Sequence, residues 1–397
     1  MDRRKFFKIL SAGGVGLAAA PVEKAIAAVS PVAAAPDTMT GLSPGVQTSL
    51  PATNIRDALA IPRTKDSMPG LYPGKVVMVT NRKGVKEGGV AYEEAYRTLK
   101  TSMLSLTGEK NLKKAWRRFV GPKDIIGLKL NPIGGKLLST SHAVTQAIIA
   151  QLQESGIRRE NIVIWDRRLM ELEEAGFTPD TYPGIKITGT ECKDASGSFY
   201  NKEGKLYGED NIDRTQFYYA DCEMEYDAYT LPYMVNEGKY SYFTKIVTKE
   251  VTKIINVPIL KNAGATTTLC LKNLAFGSVS NTARLHQKLW HQTCAQVCAF
   301  PPLRDKVVLN IADGFIGCYE GGPAANPQFI CRYDLMLVGT DPVAVDRIGH
   351  EIIVNKRIEE GIQRSDRAAA YQFITLAQEY GLGIGDREKI ELIQTEC

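Results

Sequence analysis

Short apolar runs rich in β-branched residues alternate with amphipathic segments along most of the chain. The strand-like runs are KVVMVTN (75–81), DIIGLKLN (124–131), NIVIWD (161–166), KIINVPILKN (253–262), DKVVLNIADG (305–314), YDLMLVGTD (333–341) and KIELIQ (389–394). Helix-like segments lie between them, at 91–106, 140–156, 266–277, 342–354 and 367–381. This alternation predicts an α/β fold, with a mostly parallel sheet flanked by helices.

The alternation breaks between residues 184 and 242, which hold nine of the seventeen tyrosines. We interpret this stretch as a Tyr-rich irregular or antiparallel insertion, either a solvated subdomain or a lid over a pocket. Residues 37–73 are rich in Ala, Pro, Thr and Ser and are expected to form a linker or surface strap. The α/β domain is then expected to cover residues 74–397.

Residues 1–36 have the pattern of a separate segment. Arg3 and Arg4 precede an apolar run rich in Gly and Ala, ILSAGGVGLAAAPV, and small-residue sites follow at AIAAV and VAAAP. This order resembles a twin-arginine signal and cleavage region, so we expect the twin-arginine machinery to export the protein to the periplasm or another extracytoplasmic space. A buried N-terminal helix and an uncleaved membrane anchor are the alternatives, although the apolar run is short for a spanning helix.

Composition and missing motifs narrow the functional classes. The chain has 397 residues, 44% of them hydrophobic, and a net charge of only +5 with acids and bases interspersed. Nucleic acid is therefore not an expected partner, since there is no long basic run and no zinc-finger spacing. The chain also lacks a Walker A loop, a G-x-G-x-x-G fingerprint, a G-x-S-x-G elbow and an H-E-x-x-H motif, which argues against the common nucleotide enzymes, serine hydrolases and zinc peptidases.

Polar side chains stand at the carboxyl ends of five predicted strands. They are Lys129, Asn131, Asp166, Lys261, Asn262, Asp313 and Asp341. Strand ends in an open α/β sheet converge on the edge where ligands bind, although each residue could equally be a helix cap or a solvated chain end. A second Lys-Asn pair, Lys272 and Asn273, follows in the next predicted helix. We expect the lysines to bind an anionic small molecule and the asparagines to orient it.

The acidic residues suggest two kinds of chemistry at the same edge. Asp313 and Asp341 could act as acid and base, or could join Asp166 and Asp346 in holding a divalent metal ion through oxygen ligands. His286 is a further catalytic candidate, and Arg284 beside it a further anion ligand.

The segment RLHQKLWHQTCAQVC (284–298) offers a different set of ligands. If it is helical, His291, Cys294 and Cys298 share one face, and nitrogen with two sulfurs suits zinc, copper or iron. The alternative is a buried face on which cysteine acts as a small hydrophobe.

Two of the eight cysteines, Cys318 and Cys331, bracket a Gly/Pro-rich loop that includes YEGGPAANP (319–327). They are our best candidates for a disulfide, which export would permit.

Several segments together resemble the family known as domain of unknown function 362. They are IIGLKLN with STSHAVTQAIIAQLQESG, ILKN with TTTLCLKNLAFG, RLH, IADGFIGCYEGGP, and GTDPVAVD with GLGIGD, spanning roughly residues 75–390. The resemblance implies that the family's motif positions are Lys129, Asn131, Lys261, Lys272, Asn273, His286, Asp313, Asp341 and Asp346. Some members are associated with iron–sulfur domains, but this chain lacks the cysteine run of such a site, so we expect no iron–sulfur cluster within it.

Three functions remain open from the sequence. The first is an exported, metal-assisted enzyme that binds an anionic small molecule at the carboxyl rim of the sheet. The second is a periplasmic redox protein with a metal on the cysteine-bearing helix and a separate redox partner. The third is a non-catalytic solute-binding or assembly protein.

Overall fold

The computed structural model describes residues 50–193, 196–198, 208–224, 238–263, 266–362 and 368–397. The chain divides into two units, residues 1–49 and 50–397, and the description covers only the second. The expected export signal at 1–36 and the first part of the expected strap therefore lie outside the described residues.

The described residues contain fourteen strands. They are β1 Lys75–Thr80, β2 Val85–Lys86, β3 Gly89–Val90, β4 Ile126–Lys129, β5 Ile162–Arg168, β6 Lys186–Glu191, β7 Ile212–Tyr219, β8 Tyr240–Thr244, β9 Lys253–Asn256, β10 Ile259–Ala263, β11 Thr266–Thr268, β12 Val307–Cys318, β13 Ile330–Gly339 and β14 Glu391–Glu396.

Ten of these strands form the central sheet, in the principal order β14-β1-β13-β12-β9-β4-β5-β6, with β10 and β11 beside β12. Neighbours in the principal order are parallel except at β13, which runs antiparallel to both β1 and β12. β10 is also parallel to β12, and β11 is antiparallel to β10. The predicted α/β fold with a mostly parallel sheet is confirmed.

The same residues contain eleven α-helices. They are α1 Ile55–Ala60, α2 Tyr92–Thr107, α3 Leu112–Arg117, α4 His142–Glu154, α5 Leu169–Glu174, α6 Cys270–Ser278, α7 Ala283–Lys288, α8 Trp290–Cys298, α9 Pro301–Arg304, α10 Pro342–Glu359 and α11 Ala368–Glu379. Across the described ranges, no helix has both the length and the apolar character that crossing a membrane requires.

The helices cover both faces of the sheet. On one face, α2 to α5 pack on side chains such as Leu128 and Ile164. On the other face, α6, α8 and α11 pack on Trp165 and Ile254, and α10 packs on Leu337. Because side chains alternate along a strand, neighbouring residues in β4 and β5 belong to different cores.

Three predicted elements are divided in the structure. The run 253–262 forms β9 and β10, separated at Val257 and Pro258, because proline cannot donate a backbone N–H to a sheet ladder. The predicted helix at 266–277 begins with strand β11 and becomes helical only in α6. The segment 284–298 forms α7 and α8 rather than one helix.

The predicted insertion is partly antiparallel, as expected. β7 and β8 form a separate antiparallel pair, whereas β6, near the start of the predicted insertion, is a parallel strand of the central sheet. Parts of the insertion, at 194–195, 199–207 and 225–237, lie outside the described residues.

The described part of the predicted strap packs on the α/β domain. Arg304, which is almost fully buried, donates hydrogen bonds to the carbonyls of Ala58, Ile61 and Pro62. One side chain thus holds the segment around α1 against the helix that precedes β12.

Candidate functional site

Lys129 occupies the carboxyl end of β4 and is 1% exposed. Its Nζ forms an ion pair with Asp166, at the end part of β5, and donates to Asn273 Oδ1 (3.0 Å) and to the carbonyl of Leu130 (2.8 Å). Burial lowers the pKa of Lys129, and the neighbouring Asp166 carboxylate opposes that change. The structure therefore brings together three of the predicted rim residues across two strands and α6.

A chain of amide side chains continues from this ion pair. Asn131 Nδ2 donates to Asn273 Oδ1 (3.0 Å), Asn273 Nδ2 to Asn256 Oδ1 (2.8 Å), and Asn256 Nδ2 to Asn310 Oδ1 (2.9 Å). The strand register places Lys129, Asn256 and Asn310 side by side across β4, β9 and β12. Sequence analysis missed Asn256 and Asn310, whose only signal was a single amide inside an apolar strand.

The packing of α6 on Lys129 depends on a glycine. A Cβ added to Gly277 would lie 2.2 Å from Cε of Lys129 and 2.7 Å from its Nζ. The helix approaches the lysine this closely only because position 277 carries no side chain.

Lys261 is the most unusual charged residue of the site. It lies in β10 and has no exposed surface, and no hydrogen-bond acceptor in the described part of the chain reaches its Nζ. Burial, together with the positive charge of Lys272, lowers the pKa of Lys261 to about 7. An amine in this state exchanges between its charged and neutral forms near neutral pH.

Lys272 lies in the first turn of α6 and is 6% exposed. Its Nζ stands 4.0 Å from the ring centroid of Trp290, within the range of a cation–π contact. Burial lowers the pKa of Lys272 to about 8. The two lysines of the repeated Lys-Asn pairs are therefore electrostatic neighbours.

Charged residues of β5 and its neighbours complete this group. Arg168 donates to Glu191 (2.7 Å) and Glu171 (2.8 Å), and Nε of Arg167 lies 3.7 Å from Glu191. We call the following eight residues the rim cluster: Lys129, Asp166, Arg167, Arg168, Glu171, Glu191, Lys261 and Lys272. It holds five cationic side chains against three carboxylates, so positive charge is in excess among its side chains.

His286 borders the rim cluster as a neutral imidazole. Its Nδ1 contacts the carbonyl of Thr282 at 2.9 Å, which fixes a proton on that nitrogen, and its ring centroid lies 4.2 Å from that of Phe276. Burial, with Lys272 as a secondary cause, lowers the pKa of His286 to about 3.

Asp341 does not lie at the carboxyl rim, which corrects the predicted placement. It follows β13, and because β13 is antiparallel to β12, its carboxyl end lies at the opposite edge of the sheet. One oxygen accepts the N–H groups of Val343 and Ala344, and the other accepts those of Gly74 and Ile384. Asp341 is the N-cap of α10, and burial raises its pKa to about 6.

Asp346 contacts the N-terminus of α6. Its two oxygens accept the N–H groups of Cys270 (2.6 Å) and Leu271 (3.0 Å), so it caps the N-terminus of α6, the helix that carries Lys272. Burial raises the pKa of Asp346 to about 7. Its observed role is to position α6.

Asp313 faces a cavity of about 350 Å³ on the α4 side of the sheet. Its oxygens accept the N–H groups of Ser141 (2.9 Å) and Phe315 (3.2 Å), and burial raises its pKa. The cavity is also lined by Lys136 and His142.

His142 was not among the predicted site residues. Both of its ring nitrogens contact groups of the protein. Nδ1 contacts the Tyr182 hydroxyl at 2.7 Å, and Nε2 contacts the Ala175 carbonyl at 3.0 Å.

Asn262 and Arg284 contact protein groups. Asn262 lies in β10, and its carbonyl is approached so closely by Gly322 that a Cβ there would lie 1.8 Å away. Arg284 is fully buried and donates to the carbonyls of Ala220, Cys222 and Lys239 and to Ser241 Oγ. Arg284 therefore fastens the β7–β8 pair to α7.

The predicted soft-metal residues do not form a ligand set. Cys294 and Cys298 are fully buried in the apolar core around α8, and burial raises the pKa of the Cys294 thiol to about 12. The His291 ring stacks instead on Phe373, with 6.2 Å between centroids. In the described ranges, no three His, Cys, Asp or Glu side chains are grouped so that they could hold a metal ion.

Cys318 and Cys331 are free thiols, so the predicted disulfide is absent. The register aligns Cys318 with Ile330 and Cys331 with Gly317. Residues one step apart in register point to opposite faces of a sheet, so the two sulfurs are directed away from each other.

Fold and site together define an α/β protein with a positively charged cluster at the carboxyl edge of its sheet. Residues 210–351 match the profile of the DUF362 family, described as a domain of unknown function. The matched segment contains Lys261, Lys272, Asp313 and Asp346, and it supports the resemblance stated from the sequence motifs. Lys129 lies outside it.

Comparisons beyond this family are distant. A crystal structure of a protein from Thermotoga maritima is similar at 10% sequence identity and a TM-score of 0.36, covering 67% of this chain and 59% of that one. The chain thus aligns with less than two thirds of that protein. A comparison with curated protein sequences finds no match.

Proposed function

We propose that the protein is an exported enzyme that binds an anionic small molecule at the rim cluster. Export is supported by the twin-arginine pattern at Arg3 and Arg4. Anion binding is supported by the charge balance of the cluster.

The observation that carries the proposal is the isolation of Lys261. A buried ammonium group without a hydrogen-bonding partner costs several kcal/mol, roughly 3–5 kcal/mol in proteins from which one partner of a buried pair has been removed. Lys261 is fully buried and its Nζ has no acceptor within the described residues. An anionic ligand would supply the missing acceptor and the missing charge.

Lys272 strengthens this argument. The positive charge of Lys272 lowers the pKa of Lys261, so a negative charge bound near Lys261 would offset both the burial of that amine and the repulsion from Lys272. Carboxylates and phosphates are the ligand groups that meet such a need.

We do not extend the proposal to metal assistance. Of the aspartates predicted as metal ligands, Asp341 lies at the opposite edge of the sheet, and both oxygens of Asp346 cap α6. These carboxylates point at backbone N–H groups and not at one common position. The redox alternative has no supporting geometry either, since His291 does not join the two thiols of α8 in a ligand group within the described residues.

The test is calorimetric titration of the purified full chain at low salt with inorganic phosphate, oxalate and lactate. We expect at least one anion to bind the wild type and to be lost in Lys261→Met. Lys253→Met is the matched control, because Lys253 begins β9 at the opposite edge and pairs with Asp66 on the surface (2.6 Å). No binding by the wild type, or equal binding by Lys261→Met, would overturn the proposal.

A further inference from the structure

We propose that Lys261 forms a reversible imine with the carbonyl group of a small 2-oxo acid whose carboxylate is attracted by Lys272. This inference rests on the proposed function, because it assigns a substrate class and a covalent step to the same site. It begins from what an amine needs in order to attack a carbonyl group.

The first need is a nitrogen lone pair that neither a proton nor an ion pair occupies. Desolvation and a neighbouring cation are the two devices by which proteins give lysine this property. Lys261 has both, since it is fully buried and the positive charge of Lys272 adds to burial in lowering its pKa to about 7.

Two other lysines lack this freedom, the buried Lys129 and the half-buried Lys306. Lys129 is paired with Asp166 and donates to two further acceptors. Lys306, at the N-terminal side of β12, donates to the carbonyls of Val247 (2.6 Å) and Val251 (2.9 Å). Their nitrogens are committed to structural contacts.

The second need is space for the substrate on the correct side of the sheet. Lys261 pairs across the sheet with Cys318, and Ile259, two residues earlier in β10, pairs with Asp313. Directly opposed residues share a face, so Ile259 lies on the side of the sheet that carries Asp313 and the cavity of about 350 Å³. Lys261 follows Ile259 by two residues in β10, across an irregular step in the register.

Leu138 links the cavity to the residues around Lys261. It lines the cavity and also packs in one cluster with Ile259 and Cys318, the residues adjacent to Lys261 along and across the strands. We therefore place the entry of a small molecule at this side chain, whose movement would connect the cavity with the residues around Lys261. A cavity of this size lies at the lower end of the range that holds small ligands.

The third need is a means of selecting the carbonyl compound. The rim cluster has more cationic than anionic side chains, and of the charged groups around Lys261, Lys272 has the largest effect on its pKa. A carbonyl next to a carboxylate places one group on each lysine, which favours a 2-oxo acid over a neutral aldehyde or ketone.

The step balances without any further reactant. The nitrogen lone pair of Lys261 forms the C–N bond, and the carbonyl π electrons move to oxygen to give a carbinolamine. The oxygen then leaves as water, carrying the two protons that the amine gives up, and a C=N bond remains. No electrons are gained or lost, and hydrolysis reverses the step.

The test is reductive trapping on the full chain. The protein is incubated with pyruvate near pH 7, treated with sodium borohydride, digested and analysed by mass spectrometry. We expect one reduced adduct per chain, on the peptide that contains Lys261, complete loss of that adduct in Lys261→Met, and a lower yield in Lys272→Met. Lys253→Met should trap as the wild type does.

Lactate separates failure of this inference from failure of the proposed function, because it keeps the carboxylate and lacks the carbonyl group. Binding of lactate without a pyruvate adduct at Lys261 would overturn the imine and leave anion binding intact. Adducts spread over surface lysines, with none at Lys261, would also overturn the imine. No binding of any of these anions would overturn both proposals.

Discussion

Replacing Lys261 by methionine should make the ligand-free protein more stable. The methionine side chain has a similar length and no charge, so it can fill the same space without a buried ammonium group. Replacement of buried charges by apolar side chains of similar volume often stabilises proteins by about 1–4 kcal/mol. A residue kept at the expense of stability is typical of a binding or catalytic site.

The size and pH dependence of the effect follow from the pKa. One pKa unit corresponds to about 1.4 kcal/mol, so lowering the pKa of Lys261 from 10.5 to about 7 costs the folded state up to about 5 kcal/mol at low pH. Between these two pKa values the unfolded chain binds the proton and the folded protein does not. Stability therefore rises with pH from about 7 to 10 in the wild type, and this contribution is absent in Lys261→Met.

The assay is urea unfolding at a series of pH values between 6 and 10, without added anions, for both proteins. The difference between them isolates Lys261, because the other titrating groups are common to both. We expect the variant to be more stable at pH 6–7 and the difference to shrink as the pH rises.

Lys306→Met is the control, because it removes a half-buried lysine whose Nζ donates to two carbonyls (2.6 and 2.9 Å), and it should destabilise by about 1–3 kcal/mol. Equal stability of the wild type and Lys261→Met at every pH would refute the view that Lys261 is an uncompensated buried charge.

Two further substitutions test the structural parts of the site. Gly277→Ala should destabilise despite a helix-propensity gain of about 1 kcal/mol, since the new Cβ forces Lys129 away from Asp166 and a broken buried pair costs about 3–5 kcal/mol. Urea unfolding in a Lys129→Ala background provides the check, because a penalty that persists there cannot come from this contact. Arg284→Ala should destabilise by several kcal/mol, at about 1.5–3 kcal/mol for each hydrogen bond to a charged group, and should speed proteolysis near the β7–β8 pair. Unchanged cleavage rates would show that this guanidinium does not hold the pair in place.

Most of the sheet could be predicted because its signal is local. An apolar run of β-branched residues such as IVIW in β5 fits the pattern of a buried strand and few other structural elements. The direction of a strand relative to its neighbours depends on the tertiary fold. The residue pattern of YDLMLVGTD does not show whether this strand runs parallel or antiparallel to the strands beside it. We predicted Asp341 at the carboxyl rim because we took its strand to be parallel to the others. β13 is antiparallel to β12, so this placement is wrong.

The polar network shows a second limit of sequence analysis. Asn256 and Asn310 are single amides within apolar strands, and nothing in their own segments shows that the register makes them neighbours of Lys129. Arg284 was expected to bind an anion at the rim together with His286. Its acceptors belong to the β7–β8 pair, more than forty positions earlier in the chain.

The two Lys-Asn pairs of ILKNAGATTTLCLKN show that identical residues close together in sequence can have different structural roles. Asn273 joins the amide chain that binds α6 to the sheet, whereas Asn262 lies in β10 beside the loop that carries Gly322. Lys261 also differs from Lys129, which pairs with Asp166, because no hydrogen-bond acceptor among the described residues reaches the Nζ of Lys261. Asp346 caps α6 and so fixes Lys272 close enough to Lys261 to lower its pKa. The fold thus uses several polar contacts to hold two lysines in one cluster, an arrangement that the proposed anionic ligand would stabilise.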